Sequence, residues 1–138
     1  MNFVGLVHHR EEDLMKRKDI DTFEKLSGQL QGLYEEISSL SKKNPNDAVN
    51  TFKLRFINKI IDESNSFLSL KYRPFEDFDH FDEDNMPQNS DVVFILSQYL
   101  QCFEKLRLDN IQETYGVWYW NIDDKGAPKK TSKPQNLK

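Results

Sequence analysis

The sequence contains only one cysteine, five glycines and five prolines, and it has no long apolar run. A single cysteine, Cys102, cannot form an internal disulfide, which fits a protein that folds in a reducing compartment. A membrane-spanning helix needs about 20 mostly apolar residues, so we expect no transmembrane segment. The short apolar stretch at the N-terminus has no basic region before it, and we therefore predict no signal peptide. These absences favour a cytoplasmic protein.

Motifs that mark common enzyme families are also missing. The chain has no Walker-type phosphate loop, no dinucleotide-binding glycine pattern and no GxSxG nucleophile elbow. Cys102 has apolar neighbours, which favours a structural thiol over a nucleophile. Together with one cysteine, His8, His9 and His80 are a poor supply of zinc ligands. We predict a non-enzymatic protein without a metal ion or cofactor.

The charge and the aromatic content limit the class of protein further. A net charge of −4 gives no general attraction to nucleic acid or to an anionic membrane surface. Ten Phe, five Tyr and two Trp supply large apolar groups, which disordered chains lack. We therefore predict a single folded domain over residues 1–124, with neither a membrane nor nucleic acid as its partner.

Apolar residues at alternating spacings of three and four predict a first helix over about 22–42. This apolar stripe consists of Phe23, Leu26, Leu30, Leu33, Ile37 and Leu40. A second helix is predicted from Asn46 or Asp47 to about Leu70. Because the connection "KKNPND" is short, the two helices should form an antiparallel hairpin.

A third helix is predicted to begin at Asn89 or Ser90. Its residues 92–106 are apolar almost all round, so the helix should be central in the bundle or covered by another subunit. Gly28 and Gly32 lie one turn apart on the first helix, either as surface glycines or where another backbone approaches closely. The predicted fold is a mainly α, antiparallel bundle of three helices that self-associates as a homo-oligomer.

The C-terminal region differs in character from the helices. The stretch "TYGVWYWNI" is rich in β-branched and aromatic residues, which predicts a short strand or an extended segment. In a strand, Trp118 and Trp120 would share one side. There they could cover the core or stack against a planar ligand such as a nucleobase. Residues 125–138 contain five lysines and no acidic residue and are predicted to form a flexible basic tail.

The longest stretch without lysine or arginine extends from residue 74 to residue 104. It includes most of "RPFEDFDHFDEDNMP", residues 73–87, which places three phenylalanines among six carboxylates. We expect this segment to form a crossover at 71–89 between the second and third helices. The three rings are Phe75, Phe78 and Phe81.

The rings in the crossover have two interpretations. They can fold back and anchor a long acidic loop, since an unanchored loop of this length is uncommon in a compact domain. Alternatively, they form a docking surface on which Asp77 and Asp79 help to select a basic protein partner. The basic tail is one candidate partner, in the same chain or in a neighbouring copy.

The same carboxylates could bind a metal ion, because they offer hard oxygen ligands. The EF-hand pattern fails, however, since counting from Asp77 places Phe81 at the fifth position and Asp82 at the sixth. A small metal-dependent enzyme built on the carboxylates of residues 76–84 is therefore the second alternative.

We therefore predict a binding or regulatory protein of bacterial or phage type that acts through protein–protein contacts and self-association. The first alternative is a protein that binds or sequesters a small, nucleotide-like ligand. The predicted binding residues are Phe75, Asp77, Phe78, Asp79, Phe81, Trp118 and Trp120.

Overall fold

The computed structural model describes residues 15–136, and it confirms the prediction of a mainly helical fold. Within these described residues, three helices precede three short strands: α1 (Arg17–Lys43), α2 (Thr51–Tyr72) and α3 (Asn89–Leu108). The strands are β1 (Ile111–Thr114), β2 (Val117–Trp120) and β3 (Lys130–Thr131). Residues 1–14 and the last two residues of the predicted tail lie outside the described part of the chain. None of the described helices is both long and apolar enough to cross a bilayer.

The chain divides into two compact units. One unit is Phe23–Phe103, and the other combines the described residues of Met1–Thr22 with those of Glu104–Lys138. Both divisions fall inside helices, the first in α1 and the second in α3.

Helix α1 begins about five residues earlier than predicted. Ile20 is fully buried and extends the apolar stripe by one turn, and its backbone N–H donates to the carbonyl of Lys16 at 3.1 Å. Within the predicted stripe, Leu30 and Ile37 are fully buried, while Leu33 and Leu40 are half-buried. The alternating spacing of three and four therefore identified the buried face of α1.

Helix α2 begins at Thr51, later than predicted. The side chain of Asn50 caps it by accepting a hydrogen bond from the Lys53 N–H at 3.1 Å. The preceding residues are not available to the helix, because the Val49 N–H donates to the Pro87 carbonyl and the Asn89 N–H donates to the Asp47 carbonyl. This pairing joins the chain before α2 to the chain before α3.

Within residues 23–103 the helices α1 and α2 form the expected antiparallel hairpin. Lys53, at the start of α2, forms an ion pair with Glu36 near the end of α1. At the opposite end, the ring of Phe67 in α2 lies 6.4 Å from the ring of Phe23 in α1.

Helix α3 runs parallel to α2 and antiparallel to α1. The starts of α2 and α3 are joined by the backbone bridge between Ala48 and Gln88. Towards their other ends, the ring of Phe103 in α3 stacks on Phe67 with a centroid separation of 5.9 Å. The same ring lies 5.4 Å from Phe23, so one aromatic cluster joins all three helices. Such ring pairs add about 0.5–1.5 kcal/mol each beyond the area they bury.

In the second unit, the predicted single strand is a β-hairpin. Strands β1 and β2 pair antiparallel, with Ile111 opposite Trp120 and Thr114 opposite Val117. The two-residue turn is Tyr115–Gly116, with φ of 51° and 81°. A turn with two positive φ values normally uses Asn-Gly or Asp-Gly. Because a tyrosine occupies the first position, the sequence does not show the usual signal for this turn.

Strand β3 pairs antiparallel with β2, placing Thr131 opposite Trp118 and Lys130 opposite Tyr119. From the sequence we expected a flexible tail over 125–138, and this strand was not predicted. On the other side of the unit, Met15 exchanges backbone hydrogen bonds with Asn121 and Asp123 at 3.0 Å each. The buried side chains of Ile20, Leu106, Ile111 and Trp120 belong to this unit.

The packing of α1 makes Leu30 a sensitive test of the bundle. Because Leu30 is 0% exposed, Leu30→Ala should lower the free energy of unfolding by about 2–5 kcal/mol through lost contacts and a residual cavity. Chemical denaturation measures this change. Leu70 is 68% exposed, so Leu70→Ala is the matched control and should cost less than about 0.5 kcal/mol. Equal effects of the two substitutions would contradict the described packing.

The glycines of α1 give a prediction of the opposite sign. A Cβ atom at Gly28 or Gly32 would meet nothing within 4 Å, so no other backbone of the described chain approaches them closely. Each change to alanine should raise the free energy of unfolding by about 0.5–1 kcal/mol. Gly116→Ala is the contrasting control, because its φ of 81° strains an alanine and the change should be destabilising. Loss of stability in Gly28→Ala would show that this face is not open.

Candidate functional site

Residues 73–88 connect α2 to α3 and run back along α2. This crossover pairs with α2 mainly through side-chain amides. Asn58 donates from Nδ2 to the Phe81 carbonyl at 2.9 Å and accepts from the Phe81 N–H at 2.8 Å. One asparagine side chain thus satisfies both backbone groups of Phe81, as a neighbouring strand would.

A second anchor lies closer to the end of α2. The carbonyl of Phe78 accepts hydrogen bonds from Asn65 Nδ2 at 3.4 Å and from the guanidinium of Arg73 at 2.8 Å. The hydroxyl of Tyr99 donates to Asn65 Oδ1 at 2.6 Å, which orients the amide. Burial raises the pKa of Tyr99, and its hydrogen bond to Asn65 opposes this rise.

Arg73 is positioned by an unusual end to α2. Near that end Ser69 has φ 59° and ψ 178°, a conformation that costs about 1–3 kcal/mol in a residue other than glycine. Its carbonyl still accepts from the Arg73 N–H at 3.0 Å. Directly after this end of the helix, the Arg73 guanidinium donates to both the Phe78 carbonyl and the Asp79 carboxylate.

The three phenylalanines of the crossover have different environments. Phe81 is buried, and the half-buried Phe78 packs edge-on against it with ring centroids 5.1 Å apart. Phe75 is half-buried and lies 6.4 Å from the ring of Phe94 in α3. Phe94 itself is 56% exposed. Phe81 therefore anchors the loop, whereas the Phe75–Phe94 pair faces solvent in part.

The carboxylates beside these rings are mostly without cationic partners. Asp79 forms an ion pair with Arg73 at 3.0 Å, and Glu83 lies 3.6 Å from Arg55. The other four carboxylates of residues 76–84 form no ion pair within the described part of the chain. They are Glu76, Asp77, Asp82 and Asp84, all exposed. We call the Phe75–Phe94 pair and the carboxylates of residues 76–84 the acidic aromatic surface.

The carboxylates do not assemble into a metal site. No group of three or more His, Cys, Asp or Glu side chains among residues 15–136 is arranged to hold a metal ion. Asp82 instead uses its Oδ1 to accept from the Asp84 N–H at 2.9 Å, which caps the short 3-10 turn Glu83–Asn85. His8 and His9 lie outside the described residues. Cys102 is half-buried, and burial raises the pKa of its thiol.

The two tryptophans predicted as binding residues lie on one face of β2. Trp120 is only 3% exposed and Trp118 is half-buried. A buried ring has no free face for a base, so Trp120 belongs to the core of its unit. On the other face of the sheet, Gln112, Tyr119 and Lys130 form one cross-strand row.

The C-terminal residues 125–136 form a basic segment, and we call this whole segment the strap. Arg107 is 5% exposed, and its guanidinium donates to the Thr131 hydroxyl at 3.0 Å and to the carbonyls of Ser132 and Lys133 at 2.7 and 3.0 Å. Its remaining donors bind both carboxylate oxygens of Glu104, at 2.9 and 2.7 Å. The strap is therefore held largely through its main chain.

Glu104 completes this attachment. Its Oε2 accepts a hydrogen bond from the Gln135 N–H at 2.9 Å. Because the side chains of residues 132–136 take no part in these bonds, all of them remain exposed. At the start of the strap, Arg17 binds Asp124 in a bidentate pair and donates to the carbonyl of Ala127. This pair lowers the pKa of Asp124 and raises the pKa of Arg17.

Several of these residues were not predicted from the sequence. Phe94 belonged to an apolar helix that was expected to be covered, and nothing in the pattern distinguishes it from its buried neighbours. Asn58 and Asn65 left a usable signal, because they lie seven residues apart and interrupt the apolar face of α2 with two polar groups. Arg107 and Glu104 resemble any helical pair at a spacing of three.

Comparisons of the chain with family models, with curated proteins and with solved structures gave no match.

The double hydrogen bond of Asn58 can be tested directly. Asn58→Ala should lower the free energy of unfolding by about 1–3 kcal/mol, because it leaves both backbone groups of Phe81 without their partners. It should also speed hydrogen exchange at the Phe81 amide. Asn85→Ala, at an exposed asparagine of the same crossover, is the control and should change neither measurement. An unchanged exchange rate at Phe81 in Asn58→Ala would contradict the anchor.

The raised pKa of Tyr99 should make the free energy of unfolding depend on pH in the alkaline range. Its pKa is raised by burial, so above pH of about 10 the unfolded chain loses this proton while the folded chain retains it. Fewer protons in the unfolded state make the free energy of unfolding fall as pH rises through this range. Tyr99→Phe should reduce that fall, whereas the same change at the fully exposed Tyr115 should not. Denaturation midpoints between about pH 8 and 11 provide the measurement, and identical profiles for Tyr99→Phe and the parent would contradict it.

Proposed function

We propose that this chain is a non-enzymatic binding protein that docks a basic protein partner on the acidic aromatic surface. The observation that carries the proposal is the exposed Phe94, paired with Phe75 at 6.4 Å and 56% accessible to solvent. An aromatic pair buries a large apolar area when a partner covers it, and such residues dominate binding energies. Phe78 and Phe81 then support the surface from beneath, because they hold the crossover on α2.

The charges around the ring pair select the partner. Of the six carboxylates in residues 76–84, only Asp79 and Glu83 have cationic neighbours among the described residues. The exposed charge at Glu76, Asp77 and Asp84 attracts a basic protein and repels an acidic one. Asp77 therefore acts in steering and selection, while the rings supply most of the affinity.

A second feature supports self-association as part of this function. Helix α3 keeps apolar side chains that its own chain covers only partly, among them Val93, Ile95 and Leu100. The side of α1 that carries Gly28 and Gly32 is also open. Both are available to another copy in the cytoplasm, where we place the protein.

The proposal is tested by changing Phe94, whose exposed position limits damage to folding. Immobilised parent protein and Phe94→Ser are used to capture proteins from the source cells, and each captured protein is then purified for a direct measurement of binding. A partner that uses the acidic aromatic surface should be basic, and it should bind Phe94→Ser about 30-fold less tightly, which corresponds to about 2 kcal/mol. Its affinity for the parent should fall as salt rises.

Phe52→Ser is the matched control, because Phe52 is another exposed phenylalanine, on α2. It should retain the partner, and thermal melting should confirm that both variants are folded. If Phe94→Ser and Phe52→Ser bind every captured protein as tightly as the parent, the acidic aromatic surface is not the docking site.

A further inference from the structure

The chain carries its charge unevenly: one unit has an excess of acidic residues, and the other contains a segment that is wholly basic. Residues 23–103 contain eight basic and thirteen acidic residues. The strap, residues 125–136, contains four lysines and no acidic residue. Among them, Lys125, Lys130 and Lys133 are exposed and form no ion pair with another described residue. One chain thus presents an acidic surface and a basic segment on which most charged side chains have no ion-pair partner among the described residues.

The main chain of the strap is also held in place before any partner binds. Arg107 and Glu104 hold it through the carbonyls of Ser132 and Lys133 and the N–H of Gln135. Strand β3 fixes Lys130 opposite Tyr119. Since the main chain is held, a partner that binds the lysine side chains does not have to order a flexible segment, which reduces the entropic cost of binding.

We propose that the basic partner of the acidic aromatic surface is the strap of a second copy of this chain, an inference that rests on the proposed function. Lys130 and Lys133 of one copy bind the carboxylates beside Phe75 of the next. Charge complementarity supports the strap as the partner. The strap supplies lysines without ion-pair partners, and the acidic aromatic surface supplies carboxylates without ion-pair partners. A contact between two different surfaces of identical chains is head-to-tail, so it produces a ring or an open chain of copies.

A charge-exchange experiment on the full-length chain tests the proposal. One variant carries Lys130→Glu and Lys133→Glu, and the other carries Asp77→Lys and Asp84→Lys. In about 0.02 M salt, light scattering should give the parent a mass above the 16.4 kDa of one chain, rising with concentration, and about 0.5 M salt should reduce it through screening. Each variant alone should associate at least tenfold more weakly. An equimolar mixture of the two should recover assembly, because opposite charges then meet across the contact.

The control variant, Lys16→Glu with Lys18→Glu, makes the same change in charge at exposed positions outside the strap. It should assemble like the parent, and thermal melting checks that all variants are folded. A parent that keeps the mass of one chain at low salt and high concentration overturns the proposal. It is equally overturned if the strap variant assembles like the control, or if the mixture fails to recover assembly.

These outcomes are separate from failure of the proposed function. If isolated chains stay monomeric but Phe94→Ser loses a captured basic protein that Phe52→Ser retains, the docking surface is real and the second copy is not its partner. If the Phe94→Ser and Phe52→Ser variants capture and assemble alike, both proposals are wrong.

Discussion

Helices α2 and α3 point in the same direction, and the acidic aromatic surface depends on this constraint. Two parallel helices cannot be joined by a short turn, so the chain must return along α2, a helix of 22 residues or about 33 Å. A return segment of this length exposes many backbone groups that need partners. Asn58, Asn65 and Arg73 provide them from α2 and its end. The acidic composition of the crossover is then tolerated, because the main chain and Phe81 hold it in place.

The strap is attached by the same physical means. In each case a polar side chain from a helix binds the main chain of an irregular segment, Asn58 at Phe81 and Arg107 at Ser132 and Lys133. Main-chain attachment leaves the side chains of the segment largely free to face solvent. A buried Arg107 with five donated hydrogen bonds also avoids the cost of an unpaired internal charge. Two irregular segments of opposite charge thereby become ordered surfaces, which is the basis of the proposed contact between copies.

Several elements could be predicted because their signals are local. The spacing of apolar residues identified α1 and its buried face, the short "KKNPND" connection indicated an antiparallel hairpin, and Asn89 marked the start of α3. The errors have equally physical causes. Helix α2 starts late because residues 47–49 pair with residues 87–89, which are distant in sequence. The hairpin was missed because Tyr115 occupies a turn position with positive φ that usually belongs to asparagine, aspartate or glycine.

For the candidate site, the sequence by itself determined which groups are present: three phenylalanines among six carboxylates in the middle of the chain, and a basic segment near the C-terminus. Which ring is buried could not be read from it, because Phe75, Phe78 and Phe81 have nearly the same local surroundings. Burial depends on what a side chain meets across space. Only in the folded chain does Asn58 hydrogen-bond Phe81, Phe94 stay exposed beside Phe75, and Trp120 become buried. It also ordered the strap, because the buried Arg107 and the half-buried Glu104 hydrogen-bond the main chain of residues 132–135.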